Sequence, residues 1–127
     1  MTRSSSASPL IMLVDDDEDL LFLLEFQLSH EGFKVRKNLG GRHLVDQLQH
    51  PMPDLVLLDL YMNYANGSDL CRQIKSDKRL SRIIVLIMSG NHDIEKAAIE
   101  CMADGHIAKP VSFPDVKNQI IKFLDKR

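Results

Sequence analysis

Short apolar runs alternate with longer segments of helical period along most of the chain. Apolar runs bounded by turn-forming residues predict buried strands, which we place at residues 10–14, 33–37, 55–58, 83–88 and 106–108. Such alternation is typical of βα units, which build a parallel sheet with helices packed against it. The pattern therefore predicts one α/β domain with five strands and five helices.

Apolar residues at helical spacing predict the five helices. They are a helix over residues 18–30, a short one around residues 44–48, a third from the Asn66–Gly67 turn to about Ser76, a fourth from Asp93 to about Met102, and a closing helix that begins near Pro114. The first helix has a broad apolar side, and we expect Phe26 to lie in the core. We expect the same of Met102, at the end of the fourth helix.

Composition limits the classes of partner. The chain has 127 residues, 16 Lys and Arg against 18 Asp and Glu, and a formal net charge of -2. A domain of this size can bury a sizeable core without disulfides or a structural metal. It offers no basic field for a nucleic acid, and its apolar runs are too short to span a bilayer. We expect neither nucleic acid nor membrane as a direct partner.

Cysteine use and the N-terminal residues bear on the compartment. Cys71 and Cys101 lie in predicted helices without CxxC spacing, so we expect two buried thiols in a reducing cytoplasm. Residues 1–9 are rich in Ser and lack the apolar run of a signal peptide. We therefore divide the chain into a disordered tail, 1–9, and a folded domain, 10–127.

Polar side chains follow the predicted strands at their carboxyl ends. Asp15 and Asp16 follow the first strand, and Asp59 follows the third. Ser89 follows the fourth strand, and Lys109 follows the fifth. In an open parallel sheet these ends share one edge, and ligands bind in the crevice beyond it. The sequence therefore predicts that carboxylates, a hydroxyl and an ammonium group meet in this crevice.

This set of groups points to phosphoryl-group chemistry. Carboxylates gathered at one site repel one another and stay ionised together only if a cation lies among them. Oxygen ligands favour Mg²⁺, which is usually held by one or two carboxylates and by water. A magnesium ion, a lysine and a hydroxyl around a further carboxylate suit phosphoryl transfer, with that carboxylate as the nucleophile.

Four motifs in order carry a resemblance to a known family. They are IMLVDDD (11–17), PDLVLLDLYM (53–62) followed by the Asn66–Gly67 turn, VLIMSG (85–90), and the Lys109–Pro110 pair. At these spacings, residues 10–127 resemble a response-regulator receiver domain of a two-component signalling system. The resemblance implies a flavodoxin-like (βα)5 fold, a three-layer sandwich around a parallel five-stranded sheet in the order 2-1-3-4-5.

The resemblance also implies a phosphoacceptor and a metal site. Asp59 matches the residue that takes a phosphoryl group from the phosphohistidine of a histidine kinase or a phosphotransfer protein. Asp16 matches the direct Mg²⁺ ligand, Asp15 the companion acid that acts through a metal-bound water, and Tyr61 the residue that lends its backbone carbonyl. Asp59 itself completes the set of metal ligands. We also expect the Tyr61 ring to screen the acyl phosphate from water.

The remaining matches concern the switch that responds to phosphorylation. Ser89 matches the hydroxyl that bonds the phosphoryl group and moves with it. Lys109 matches the cation that pairs with the acceptor or its phosphate, and a cis peptide bond to Pro110 is implied. His106 stands where such domains carry Tyr or Phe, so we expect it to couple to Ser89 more weakly. Asn63 replaces a common proline, and we expect a less restricted loop there.

The implied function is a phosphorylation-dependent signalling switch that changes its affinity for an unidentified partner protein. We expect signalling through the fourth helix, fifth strand and fifth helix, or onward transfer to a phosphotransfer protein. A receiver is a regulatory phosphoacceptor rather than an enzyme, apart from slow self-dephosphorylation. We expect a monomeric, stand-alone receiver, although the chain could also be a piece of a longer regulator.

Two other hypotheses for the function stay open at this point. One is a pseudo-receiver that binds partners without phosphate. The other is a haloacid-dehalogenase-type phosphatase that uses Asp15 as its nucleophile, because Asp15 and Asp17 follow an apolar strand. The second fits less well, because no acidic pair follows Lys109 as that family's pattern requires.

Overall fold

The computed structural model describes residues 8–49 and 51–127. The strands are β1 (Leu10–Asp15), β2 (Lys34–Leu39), β3 (Leu55–Asp59), β4 (Ile84–Ser89) and β5 (Gly105–Ala108). The helices are α1 (Glu18–His30), α2 (Leu44–Gln47), α3 (Gly67–Ser76), α4 (Ile94–Glu100) and α5 (Phe113–Lys126). Among these residues, no helix combines the length and the apolar character needed to cross a lipid bilayer.

The five strands form one parallel sheet in the order β2-β1-β3-β4-β5. Helices cover both faces, so the domain has three layers and two cores. One core packs side chains of α2, α3 and α4 against the sheet, and the other packs α1 and α5. The predicted fold class and strand order are confirmed.

Strand β3 shows why short apolar runs became central strands. Its side chains alternate between the two cores: Val56 and Leu58 face one, and Leu55 and Leu57 face the other. All four are fully buried. A strand covered on both faces has no position for a polar side chain until it reaches the edge of the sheet, and in β3 that position is Asp59.

Local polar residues fix where the helices begin. The Asp17 carboxylate accepts the Leu20 N–H at 3.1 Å at the start of α1. The Asn66 side chain accepts the Asp69 N–H at 3.1 Å at the start of α3. Each such bond satisfies an N–H group that has no partner within its helix. These caps end the loops that follow β1 and β3, so they also help to hold the loops around the sheet edge.

Two predictions about the core are wrong. The Phe26 side chain is 65% exposed, because α1 buries only the narrow stripe of Leu21, Leu24 and Leu28. Met102 is 45% exposed, because α4 ends at Glu100 and Met102 takes a left-handed backbone conformation with φ of 66°.

Several boundaries differ from the predicted ones by one or two residues. Asp15 and Asp59 are the last residues of β1 and β3 rather than the first residues of the following loops. Asp93 precedes α4 as expected, but its side chain makes no capping hydrogen bond. Residues 1–7 of the predicted disordered tail lie outside the described residues, so that assignment stays a prediction.

Buried and exposed apolar side chains should contribute differently to the free energy of unfolding. We expect Leu57→Ala to lower the free energy of unfolding by ~3 kcal/mol, because it leaves a cavity in a fully buried strand. Phe26→Ala should cost less than ~1 kcal/mol, since most of that ring already contacts water. Urea unfolding of both variants tests the assignment, and similar losses would contradict it.

Candidate functional site

The carboxyl ends of β1, β3, β4 and β5 bring the predicted site residues to one edge of the sheet. Asp15 and Asp59 end adjacent strands, and their side chains are only 1% and 6% exposed. Ser89 ends β4 and is buried, and its carbonyl accepts the Lys109 N–H at 2.9 Å. Parallel pairing thus places these residues together although they lie far apart in the sequence.

Lys109 connects the two buried carboxylates. Its Nζ lies 2.9 Å from Asp15 Oδ2 and 3.3 Å from Asp59 Oδ1. Burial alone would lower the pKa of Lys109, but the hydrogen bond and charge of Asp15, together with the charge of Asp59, raise the pKa above its ordinary value. Lys109 therefore stays charged between the two acids. The peptide bond from Lys109 to Pro110 is cis, as predicted.

The Asp59 carboxyl is held in an environment that disfavours its charge. Burial and the nearby charge of Asp15 raise the pKa of Asp59 to about 6, while Lys109 and a hydrogen bond from the Tyr61 N–H act in the opposite direction. A further cation beside Asp59 would favour the ionised form. The site thus combines a buried carboxylate that can act as a nucleophile with negative charge that favours the binding of a cation.

Three carboxylates can supply ligands to such a cation. One oxygen each from Asp15, Asp16 and Asp59 lies within 4.8 Å of the others. Asp16 is half-buried at the rim, whereas the other two are buried. This all-oxygen set suits a hard cation such as Mg²⁺. The Tyr61 carbonyl, the fourth expected ligand, belongs to a residue whose backbone pairs with Asn66 in an antiparallel bridge.

The loop after β3 carries a contact that the sequence did not reveal. The Asn63 N–H donates to Asp16 Oδ2 at 3.2 Å. A proline at this position has no N–H and could not make this bond. The expectation of a less restricted loop therefore overlooked a direct link between this loop and the rim acid.

A second unforeseen contact joins the loops after β3 and β4. The Asn91 Nδ2 donates to the Tyr61 hydroxyl at 3.1 Å, and the Asn91 backbone N–H donates to Ser89 Oγ at 3.0 Å. Tyr61 is 62% exposed, but its hydroxyl is thus held. Only the conformation of two separate loops brings these residues together, so no sequence spacing signals the contact.

His106 is the one predicted site residue that the structure keeps apart from the crevice. It lies within β5, half-buried, in register with Ile87, two residues before Ser89. Asp15, Asp16, Asp59, Ser89 and Lys109 all reach the sheet edge.

The match to a family model decides which family the chain belongs to. The model of the response regulator receiver domain matches residues 11–121. The chain belongs to the response-regulator receiver family. Receiver domains of this family are the phosphoacceptor parts of two-component signalling systems.

A curated relative agrees with this assignment. The phosphate regulon transcriptional regulatory protein PhoB of Rhizobium meliloti (strain 1021) is 32% identical over 118 residues, which make up 91% of this chain and 52% of that protein. The chain spans about half the length of the curated relatives it matches.

Solved receiver structures have the same fold. The signal receiver domain of a signal transduction histidine kinase from Syntrophus aciditrophicus is 26% identical, with a TM-score of 0.85 over 94% of this chain and 92% of that one. The chemotaxis response regulator CheY4 of Vibrio cholerae is 17% identical, with a TM-score of 0.84 over 91% of this chain and 98% of that one. At that low identity, the CheY4 match supports the fold alone.

Gly67 allows α3 to begin directly against the end of β3. A Cβ at this position would overlap the Asp59 carbonyl oxygen and lie 2.7 Å from Leu60 Cα. The Gly67 N–H donates to the Leu60 carbonyl at 2.9 Å, so the backbone cannot move away without losing this bond. Glycine is therefore required by close packing beside the candidate acceptor rather than by its φ angle.

We expect Gly67→Ala to lower the free energy of unfolding by ~2 kcal/mol, because the added methyl group has no space. Gly90→Ala is the matched control: it lies in the loop after β4, no atom approaches its Cβ position within 4 Å, and it should cost no more than ~0.5 kcal/mol. Thermal or urea unfolding measures both. Equal stability of the two variants would show that the close approach at Gly67 is not required.

Proposed function

We propose that this receiver accepts a phosphoryl group on Asp59 from the phosphohistidine of a histidine kinase or a phosphotransfer protein, with Mg²⁺ as cofactor. The observation that carries the proposal is the position of Lys109 Nζ between the buried carboxylates of Asp15 and Asp59. This arrangement holds the acceptor and a fixed positive charge at the place where phosphoryl oxygens would arrive. Catalysis of phosphoryl transfer consists mainly of such positioning and charge neutralisation.

Asp15, Asp16, Asp59 and the Tyr61 carbonyl are the residues that would hold the magnesium ion. When bound, the ion would neutralise charge on the acceptor and on the incoming phosphoryl oxygens. An Asp59 carboxylate oxygen attacks phosphorus, the bond from phosphorus to the histidine nitrogen breaks, and its electron pair stays on the imidazole. Lys109 then pairs with the phosphoryl group, and the Ser89 hydroxyl donates a hydrogen bond to it.

The proposed response begins at Ser89. Its hydroxyl is buried beside the acceptor strand, and a phosphoryl group on Asp59 would favour the conformation in which Ser89 moves toward it. We propose that His106, on the neighbouring strand, responds to this movement. The signal would leave through α4, β5 and α5, where Ile99 is 73% exposed. A partner that binds this face more tightly in one conformation would sense phosphorylation.

An exposed apolar surface near the crevice supports a protein as the phosphoryl donor. Phe22 and Phe26 of α1 are 66% and 65% exposed, and Leu39 at the end of β2 is 49% exposed. Leu39 pairs in register with Asp15, so this surface adjoins the acidic site. Large exposed side chains grouped in this way are typical of protein interaction sites.

The two free, buried cysteines fit the proposed reducing cytoplasm.

The geometry of Asp15 argues against the hypothesis that the protein is a phosphatase. One carboxylate oxygen of Asp15 accepts the Asp17 N–H at 3.0 Å, and the other pairs with Lys109 at 2.9 Å. The side chain is also 1% exposed. Both Asp15 oxygens thus have partners within the protein, and the side chain is less exposed than that of Asp59, so Asp15 is better suited to a supporting role. The pseudo-receiver reading is not favoured either, because the acceptor, the acids, the hydroxyl and the lysine all meet at one edge.

Intact-mass measurement tests the proposed acceptor. After incubation with a small acyl phosphate donor, we expect wild type to gain one phosphoryl group only when Mg²⁺ is present. Asp59→Asn should gain none, because the nucleophilic carboxylate is lost. Asp125→Asn, an exposed acid on α5, is the matched control and should behave like wild type. A gain that persists in Asp59→Asn, or no gain in wild type, would overturn the proposal.

The hydrogen bond from the Asn63 N–H to Asp16 predicts an effect on Mg²⁺ affinity. We expect Asn63→Pro to bind Mg²⁺ about threefold more weakly than Asn63→Ala, because only the alanine variant keeps the N–H that orients the carboxylate. Calorimetric or NMR titration of Mg²⁺ measures both constants, with circular dichroism as a check on folding. Equal affinities of two folded variants would show that this bond does not prepare the site.

A further inference from the structure

Two cysteines that the proposed phosphoacceptor chemistry does not use lie together in one core. Cys71 belongs to α3, and Cys101 directly follows α4. Both are fully buried in the core that packs α2, α3 and α4 against the sheet. The Cys71 thiol hydrogen-bonds to the Cys101 sulfur, so the two side chains are in direct contact. The packing of α3 beside α4 thus brings together two thiols that lie far apart in the sequence.

The hydrogen bonds around the pair give the two sulfurs different roles. The Cys101 thiol donates to the Ala98 carbonyl at 3.7 Å, which leaves its sulfur free to accept from Cys71. The bond from Cys71 lowers the pKa of Cys101, with support from the charge of Arg72 and against the effect of burial. The same contact, together with burial, raises the pKa of Cys71. Cys101 is therefore the better nucleophile of the two, since the thiolate is the reactive form.

The surroundings of α4 give a small oxidant a route to these sulfurs. A cleft of about 210 Å³ lies between the two helices, with Ser68 and Arg72 of α3 on one side and Ala97 and Glu100 of α4 on the other. The helix α4 has only seven residues, and Asp93 before it makes no capping hydrogen bond. A short helix without a cap opens locally at a small cost in free energy, and its buried face then meets the cleft.

We propose that Cys71 and Cys101 form a redox site, at which hydrogen peroxide converts two thiols into a disulfide that links α3 to α4. The Cys101 sulfur attacks one peroxide oxygen and the O–O bond breaks, which gives a sulfenic acid and one water. The Cys71 sulfur then attacks the Cys101 sulfur, the S–O bond breaks, and the hydroxyl group leaves with the Cys71 proton as a second water. The peroxide thus takes up two electrons and two protons from the thiols. A dithiol reverses the reaction by thiol–disulfide exchange.

The disulfide would connect two parts of the proposed signalling machinery. The helix α3 begins at Gly67, directly against the Asp59 carbonyl, and α4 follows the loop after Ser89. A covalent link between the helices restrains α4, so the oxidised protein should transmit less of a movement that begins at Ser89. This consequence rests on the proposed phosphoacceptor function, whereas the thiol chemistry itself does not.

Brief exposure to hydrogen peroxide, followed by tandem mass spectrometry, tests the redox site. We expect a disulfide between positions 71 and 101 of one chain, and both thiols should become alkylatable again after treatment with dithiothreitol. Met102, 45% exposed, is the internal measure of oxidant, because its sulfoxide forms without opening of α4. Met102 sulfoxide in protein whose two thiols stay reduced would overturn the proposal, as would disulfides that form only between different chains.

Single variants test the different roles of the two sulfurs. Cys71→Ser keeps a hydroxyl that can donate to the Cys101 sulfur but removes the partner thiol, so we expect a sulfenic acid at position 101 that dimedone traps. In Cys101→Ser, we expect position 71 to stay reduced at the same dose of peroxide. Circular dichroism checks that both variants fold. Equal yields of sulfenic acid at the two positions would contradict the role of Cys101 as the attacking thiol.

The effect on signalling is measured separately in wild type. After phosphorylation by a small acyl phosphate, the NMR signals of the Ile94 and Ala98 amides should shift less in the disulfide form than in the reduced form. Protein that has been oxidised and then reduced with dithiothreitol is the control and should recover the full shifts. Equal shifts in the two forms would overturn the restraint of α4 alone. Absence of phosphorylation in the reduced form would overturn the proposed function and leave the mass measurement to decide the redox site.

Discussion

The site depends on the placement of one ammonium group between two buried carboxylates. Without Lys109, the side chains of Asp15 and Asp59 would bring two negative charges together at the end of an apolar sheet, which is electrostatically costly. Lys109 offsets part of this cost, but the pKa of Asp59 still lies near 6 because burial and Asp15 outweigh the lysine. Because Lys109 does not fully compensate the negative charge of the carboxylates, the acidic cluster is suited to bind a divalent cation.

The sheet topology supplies this arrangement. β1 and β3 are neighbours although α1, β2 and α2 separate them in the chain, and β5 joins the same sheet beside β4. Because all the strands are parallel, every carboxyl end opens on one edge. The core on each face of the sheet holds the strands in register, and this register places the side chains of Asp59 and Lys109. The loops then add what the strands cannot: the Asn63 N–H at Asp16, and the contact between Tyr61 and Asn91.

The sequence predicted most of the fold, because the apolar runs are short, contiguous and followed by chemically distinctive residues. The placement of Asp15, Asp59 and Lys109 at one edge followed from the general geometry of parallel sheets. The errors at Phe26 and Met102 arose because helical periodicity does not specify how wide the buried stripe is or where the last turn ends. The hydrogen bonds of Asn63 and Asn91 depend on loop conformations, which neither periodicity nor motif spacing describes.

Chemical trapping of the phosphorylated residue tests the central claim most directly. Borohydride reduces an acyl phosphate to an alcohol, so a phosphorylated aspartate becomes homoserine, which tandem mass spectrometry can locate in the sequence. After phosphorylation in the presence of Mg²⁺ and reduction, we expect homoserine at position 59 and unmodified aspartate at positions 15 and 16. Homoserine at position 15, or aspartate at all three positions in protein that has gained a phosphoryl group, would contradict the assignment of Asp59 as the acceptor.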